Sequence, residues 1–209
     1  MEQCPVCGRT YGVTHSCSGP ASAQTALATK WPVPIGFAPV QYFRQALAIA
    51  QLDDGAILAA SLDKNAMFYG VAIWLAGQFL VSTLALRGIA TPPGAPRGLV
   101  IAVSAVFLIL VNALSVLLQL GLCHLLARVF FGARGTFLGV FRPLLLGSLV
   151  IWLIVVPYIG TLAAGLWSIA VMMVVFEDVD GIERLQAFGL SAVIGGAFWV
   201  LAGLLIARR

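Results

Sequence analysis

The sequence predicts an all-α membrane protein, a five-span transmembrane helix bundle with a small zinc-knuckle-like segment at its N-terminus. Three observations lead there. The 209 residues are 61% hydrophobic and only 10% charged, with a mean hydropathy of +1.01, whereas an average soluble domain is about 45–50% apolar and about 25% charged. Apolar runs long enough to cross a bilayer, which takes roughly 20 residues, recur along the chain. Four soft or borderline metal ligands crowd the first 17 residues. The net charge of +4 comes from 12 Lys+Arg against 8 Asp+Glu spread thinly, without the like-charge block of a nucleic-acid surface.

The elements follow in order. Residues 1–20 form the ligand-bearing segment, and the polar first 30 residues lack the apolar core of a signal peptide, so the N-terminus is expected to be retained. Residues 21–38 are a linker, and the stretch Trp31 to Pro39 carries three prolines that fix φ and remove backbone donors. From Val40 to Ala50, the residues Val40, Phe43, Ala46, Leu47, Ile49 and Ala50 share one apolar arc at 100° per residue, with Gln41, Arg44 and Gln45 opposite. That pattern predicts a short helix lying on the membrane surface. Asp53-Asp54-Gly55 is expected to end it, with Ala56 to Asn65 leading inward.

Residues 39–209 then make the membrane domain. Spans are expected at about 66–86, 99–126 and 187–207. Leu144 to Phe176 carries no charge over 33 residues, and as one helix it would be about 50 Å long against an apolar core of about 30 Å. Pro157-Tyr158-Ile159-Gly160 is turn chemistry in its middle, so two short spans, about 140–156 and 160–176, are joined by a hairpin. With the N-terminus in the cytoplasm, Arg44, Lys64, Arg128, Arg134, Arg142 and Arg184 fall inside and Arg87, Arg97, Arg208 and Arg209 outside, which is a positive-inside bias. Cysteine ligands favour the same reducing side. The expected location is the cell (inner) membrane, with the C-terminus outside.

Cys4, Cys7, His15 and Cys17 read C-x2-C-x7-H-x-C, a complete tetrahedral set for a structural zinc ion. The C-P-V-C-G turn suits a zinc-ribbon knuckle, although H-x-C stands where such ribbons have a second C-x2-C; a redox-active cysteine cluster is the alternative. In so small a module the metal would supply most of the folding free energy, and its use would be to present a surface to a cytosolic protein partner. Ser104, Asn112, Ser115, Gln119 and Cys123 fall within one arc of the second span. Such a polar stripe must face protein, either as interhelical hydrogen bonds or as the lining of a path. Gly160, Ala164 and Ser168, and again Ala187, Ser191 and Gly195, repeat every four residues. These small stripes allow close backbone approach and are expected to meet each other or a second copy of the chain.

His124 reads as an ordinary helix-end histidine. Glu177, Asp178, Asp180, Glu183 and Arg184 read as a solvated connector whose D-x-D-G-x-x-E spacing falls short of a calcium loop. No nucleophile elbow, zinc-protease helix, P-loop or dinucleotide fingerprint occurs, so no residues carry an enzyme reading.

The stretch Pro157 to Phe188, with its proline-glycine turn, Trp167 in the following span and Gly181-Ile182 before Leu185 to Phe188, resembles the fourth-span region of bacterial proteins of the Yip (Ypt-interacting) family. The entry Pro39-Val40-Gln41-Tyr42-Phe43-Arg44 is similar to that family's pre-membrane segment. The likeness covers about residues 39–207, and Glu177-Asp178-Val179-Asp180 departs from the family's more neutral turn. The resemblance implies a cytosolic N-terminus, five spans and no catalysis. Eukaryotic relatives bind small Rab-type GTPases in vesicle traffic, a role that does not carry over to a bacterium. The functional expectation is therefore a non-enzymatic scaffold or adaptor. A small-solute or lipid permease, with the polar stripe lining a cavity, and a membrane-tethered zinc or redox sensor are the alternatives.

Overall fold

The computed structural model describes residues 2–3, 10–11, 31–32, 36–86, 94–156 and 159–207, with backbone alone at 2–3, 10–11 and 197–207. A two-residue antiparallel ladder pairs Glu2 with Tyr11 and Gln3 with Thr10. All other regular structure among the described residues is helical.

Helix α1, Pro39–Ala50, starts on proline, whose missing N–H costs nothing in the first turn. Its buried stripe is Tyr42, Gln45, Ala46 and Ile49, while Val40, Phe43 and Leu47 are exposed. The sequence expectation is corrected here. Gln45, assigned to the polar face, is 6% exposed, and its amide donates to the carbonyl of Ala56 at 3.2 Å. Burial follows the neighbour, not the polarity: α1 packs on α2 and on the third membrane-length helix, and a glutamine with a carbonyl to bond can be buried there. The Asp53-Asp54-Gly55 reading changes too. The turn out of α1 is made by Leu52, held at φ 63°. Asp53 then opens a new helix, α2 (Asp54–Leu62), by accepting the amide of Ala56 at 2.9 Å.

Among the described residues, four helical segments are long and apolar enough to cross a membrane: α3 (Asn65–Leu86), α4 (Arg97–Phe131), α5 (Phe137–Gly147) with the 3₁₀ helix Ser148–Val155 that prolongs it, and α6 (Gly160–Val175) with the π-helical turn Phe176–Asp180. A further helix of 24 residues, α7, runs Arg184–Ala207. The third segment has only 19 residues, but the 3₁₀ stretch rises about 2.0 Å per residue, so the whole reaches about 32 Å. Helix α4 is longer than the expected 99–126, with 35 residues and a length of about 52 Å.

The α5 segment is the centre of the bundle, with 61% of its most apolar window buried against 6% for α4. Helices α1, α2, α3 and α6 pack around it, whereas α4 lies outside against α3 and α7. The core gathers Ile49, Ile57, Leu146, Val140, Val175 and Phe176, all almost fully buried. Approach is closest at Gly70 of α3, where a Cβ would lie 2.7 Å from the Cβ of Leu145 and 3.1 Å from the backbone nitrogen of Leu146. Backbone cannot yield as a side-chain tip can. Gly70→Val should destabilise the protein by about 1–3 kcal/mol, whereas Gly121→Ala, with nothing within 4 Å, should leave it unchanged or slightly more stable. Thermal melts in detergent micelles check the contrast.

Candidate functional site

The start of α3, the end of α4, the start of α5 and the turn between α6 and α7 meet at one end of the bundle, where the buried Asp63, His124 and Asp180 lie. Thr136 caps α5 through the amide of Gly139 at 3.1 Å. The Arg142 guanidinium, one turn further along, donates to the carbonyl of Ser61 at 2.8 Å and so closes the last turn of α2. Trp167, on α6, closes α1 in the same way, its indole N–H reaching the Ala50 carbonyl at 2.6 Å.

Two carboxylates are buried in this layer. Asp63, between α2 and α3, accepts the Tyr42 hydroxyl at 2.5 Å and the backbone amide of Asn65 at 2.8 Å. Tyr42 stacks on Tyr69 with ring centroids 4.1 Å apart, and the Tyr69 hydroxyl accepts the amide of Ala38 just ahead of α1. Burial first, and the Asp63 carboxylate second, push the Tyr42 phenol above its ordinary range. The fold therefore holds the neutral phenol. Its contribution is complete below the ordinary tyrosine value of about 10 and is lost only as pH rises beyond it.

Asp180 ends the π-helical turn, and one carboxylate oxygen sits 3.1 Å from Nδ1 of His124, with the two side chains 0% and 10% exposed. An ionised carboxylate only accepts, so with Asp180 ionised the proton between them lies on this nitrogen. The other oxygen faces Gly135, where a Cβ would lie 2.2 Å from it. The amide of Arg134 donates to the Asp180 carbonyl at 3.1 Å. Phe137 meets the His124 ring edge-on at a centroid distance of 6.0 Å. Asp180 thus ties the turn after α6 to the end of α4 through its carboxylate and to the loop before α5 through its backbone carbonyl. Neither member was legible as such: His124 read as a bland helix-end residue and Asp180 as part of a solvated connector. Instead Phe176–Asp180 continues the helix. Arg184 on the exposed rim binds Glu177 at 2.7 Å.

No protein-family model, curated protein or solved structure matches this chain.

Cys4, Cys7, His15 and Cys17 lie outside the described residues; the ladder of Glu2–Gln3 with Thr10–Tyr11 frames the first two in sequence. Among the described residues no three His, Cys, Asp or Glu side chains gather as a metal set. Of the polar stripe, Asn112 donates across to Gln78 of α3 at 2.5 Å, and Ser115 bonds the Val111 carbonyl of its own helix. Gln119 faces Gly195 of α7, and Ser104 is half-buried. Of the small stripes, Gly195 also approaches Ile169 of α6, and Ala187 and Ser191 are fully buried. Ala164 is buried and accepts the Ser168 hydroxyl. Gly160 presses on Leu153 and Ile154 of the 3₁₀ helix rather than on α7.

His124→Ala leaves the Asp180 carboxylate buried without its partner and should cost about 3–5 kcal/mol, whereas a double change of His124→Leu with Asp180→Leu should recover part of that loss. Chemical unfolding of the full chain in micelles, read by near-UV circular dichroism, checks both.

Proposed function

We propose that this chain is a non-enzymatic, multi-pass integral membrane protein of Yip type that acts as a scaffold or adaptor, with a zinc-binding head recruiting a cytosolic protein. The observation that carries the reading is the hydrogen bond of Asn112 to Gln78, with Gln119 against Gly195. The Asn112 and Gln78 amides that a permease would need to line a path are spent on each other across two helices, which is how polar residues hold membrane bundles together. The buried Asp63 is likewise occupied on both oxygens by donors of the fold, and Asp180 is held on one oxygen by His124.

Helix α7 is the fifth crossing, and an odd number of crossings sends the two termini to opposite faces. Arg44, Lys64, Arg128, Arg134, Arg142 and Arg184 belong to the end that holds the buried carboxylates, and Arg97 to the other. That distribution supports a cytoplasmic N-terminus in the cell membrane. The short ladder around Cys4 and Cys7 supports a knuckle in the head.

Crosslinking and pull-down are the test, with full-length protein and a variant lacking the first 38 residues, alongside zinc analysis of the purified protein and its Cys4→Ser variant. Partners that vanish with the head, and zinc that falls with Cys4→Ser, are expected. Identical partner lists overturn the adaptor, and unchanged zinc overturns the knuckle.

A further inference from the structure

A recess of about 350 Å³ opens between the start of α1 and the start of α3, lined by Gly36, Phe37, Asn65, Phe68 and Tyr69. Its position fixes the surroundings it would have in a bilayer. Asn65 is the first residue of the first membrane-length helix, and Tyr69 lies about 6 Å further in. On the reading of this chain as a membrane protein, that is headgroup depth. The neighbouring outward residues of α1, Val40, Phe43 and Leu47, continue the apolar surface from the recess along the bundle.

The lining specifies the chemistry. Phe37 and Phe68 are 83% and 68% exposed, which is costly in water and is expected of rings that face lipid or a ligand. They stand 6.1 Å and 5.4 Å from the Tyr69 ring, the second pair edge-on. Aromatic faces attract cations, alkylammonium groups above all. Among the described residues no cationic side chain lines the recess. The Asp63 carboxylate adjoins it through two contacts, the amide of lining residue Asn65 and the hydroxyl of Tyr42, whose ring stacks on Tyr69. Lys64, exposed, follows Asp63 directly at the mouth of α3. Asp63 thus sets a negative charge behind the aromatic rings, and Lys64 sets a positive one at the rim.

We infer that this recess binds the headgroup of a zwitterionic membrane phospholipid, the ammonium group against Phe37, Phe68 and Tyr69 and the phosphate toward Lys64. The bound lipid would anchor the junction of α1 and α3 to one leaflet. The inference rests on the membrane reading above and is tested apart from it.

The full chain is placed in nanodiscs of equimolar phosphatidylcholine, phosphatidylethanolamine and phosphatidylglycerol, and lipids that survive release are counted by native mass spectrometry. Both ammonium lipids, or either one, should be retained over phosphatidylglycerol by about tenfold. Phe37→Ala with Phe68→Ala, two exposed positions whose loss leaves the core intact, should abolish that preference, and Lys64→Gln should lower total retention. Retention that ignores headgroup, or a preference that survives the double substitution, overturns the inference. Either result comes from protein already inserted in a nanodisc, so the membrane reading stands or falls separately, on insertion itself.

Discussion

Every backbone N–H and C=O placed at lipid depth needs a partner within the protein, since the hydrocarbon offers none. Long helices meet that demand along their length but leave open ends, and this chain has two short helices, α1 and α2, wedged against the spans. Their termini are closed by side chains from elsewhere. The Tyr69 hydroxyl takes the amide ahead of α1, Trp167 takes its last carbonyl, Asp53 caps α2 and Arg142 closes it. Five helices are stitched together as a by-product, because three of these four caps reach α1 and α2 from α3, α5 and α6. The polar residues of the bundle end therefore serve the backbone first, and the two buried carboxylates serve the same purpose for the turns.

The helical membrane architecture was legible because composition and run length act over twenty residues at a time. Asn65–Leu86 follows the expected span almost residue for residue, and the charge-free Leu144–Phe176 stretch divides where proline and glycine fall. What escaped depends on tertiary neighbours. Gln45 counts as polar in any periodicity plot, yet a carbonyl on α2 makes its burial tolerable. Asp53 and Asp54 look like a stop after α1 and are as well suited to start α2, since the same short acidic side chains do both.

The candidate site shows the same division. The polar stripe on α4 is a reading from spacing alone, and its members part company in the structure, with Asn112 bonded to α3 and Gln119 beside α7. The His124–Asp180 pair could not be read from spacing: the two lie 56 positions apart, and nothing local distinguishes Asp180 from Asp178 or Glu183. The one sequence clue is glycine. Gly135 leaves room beside the Asp180 carboxylate that any side chain would fill, and a glycine in a short interhelical loop reads first as a turn.

The 3₁₀ stretch from Ser148 to Val155 does more than lengthen a short span. With three residues per turn, side chains at every third position stand in line above one another, so Leu149, Trp152 and Val155 form one straight ridge that runs from the core outward to the exposed end of the segment. Trp152 seats its indole against Gly77, where a Cβ would lie 3.1 Å from Nε1. A ridge of this kind indexes its neighbour like a tooth in a rack. Any side chain at position 77 would meet the indole, so this tooth sets how closely α3 stands beside the central helix.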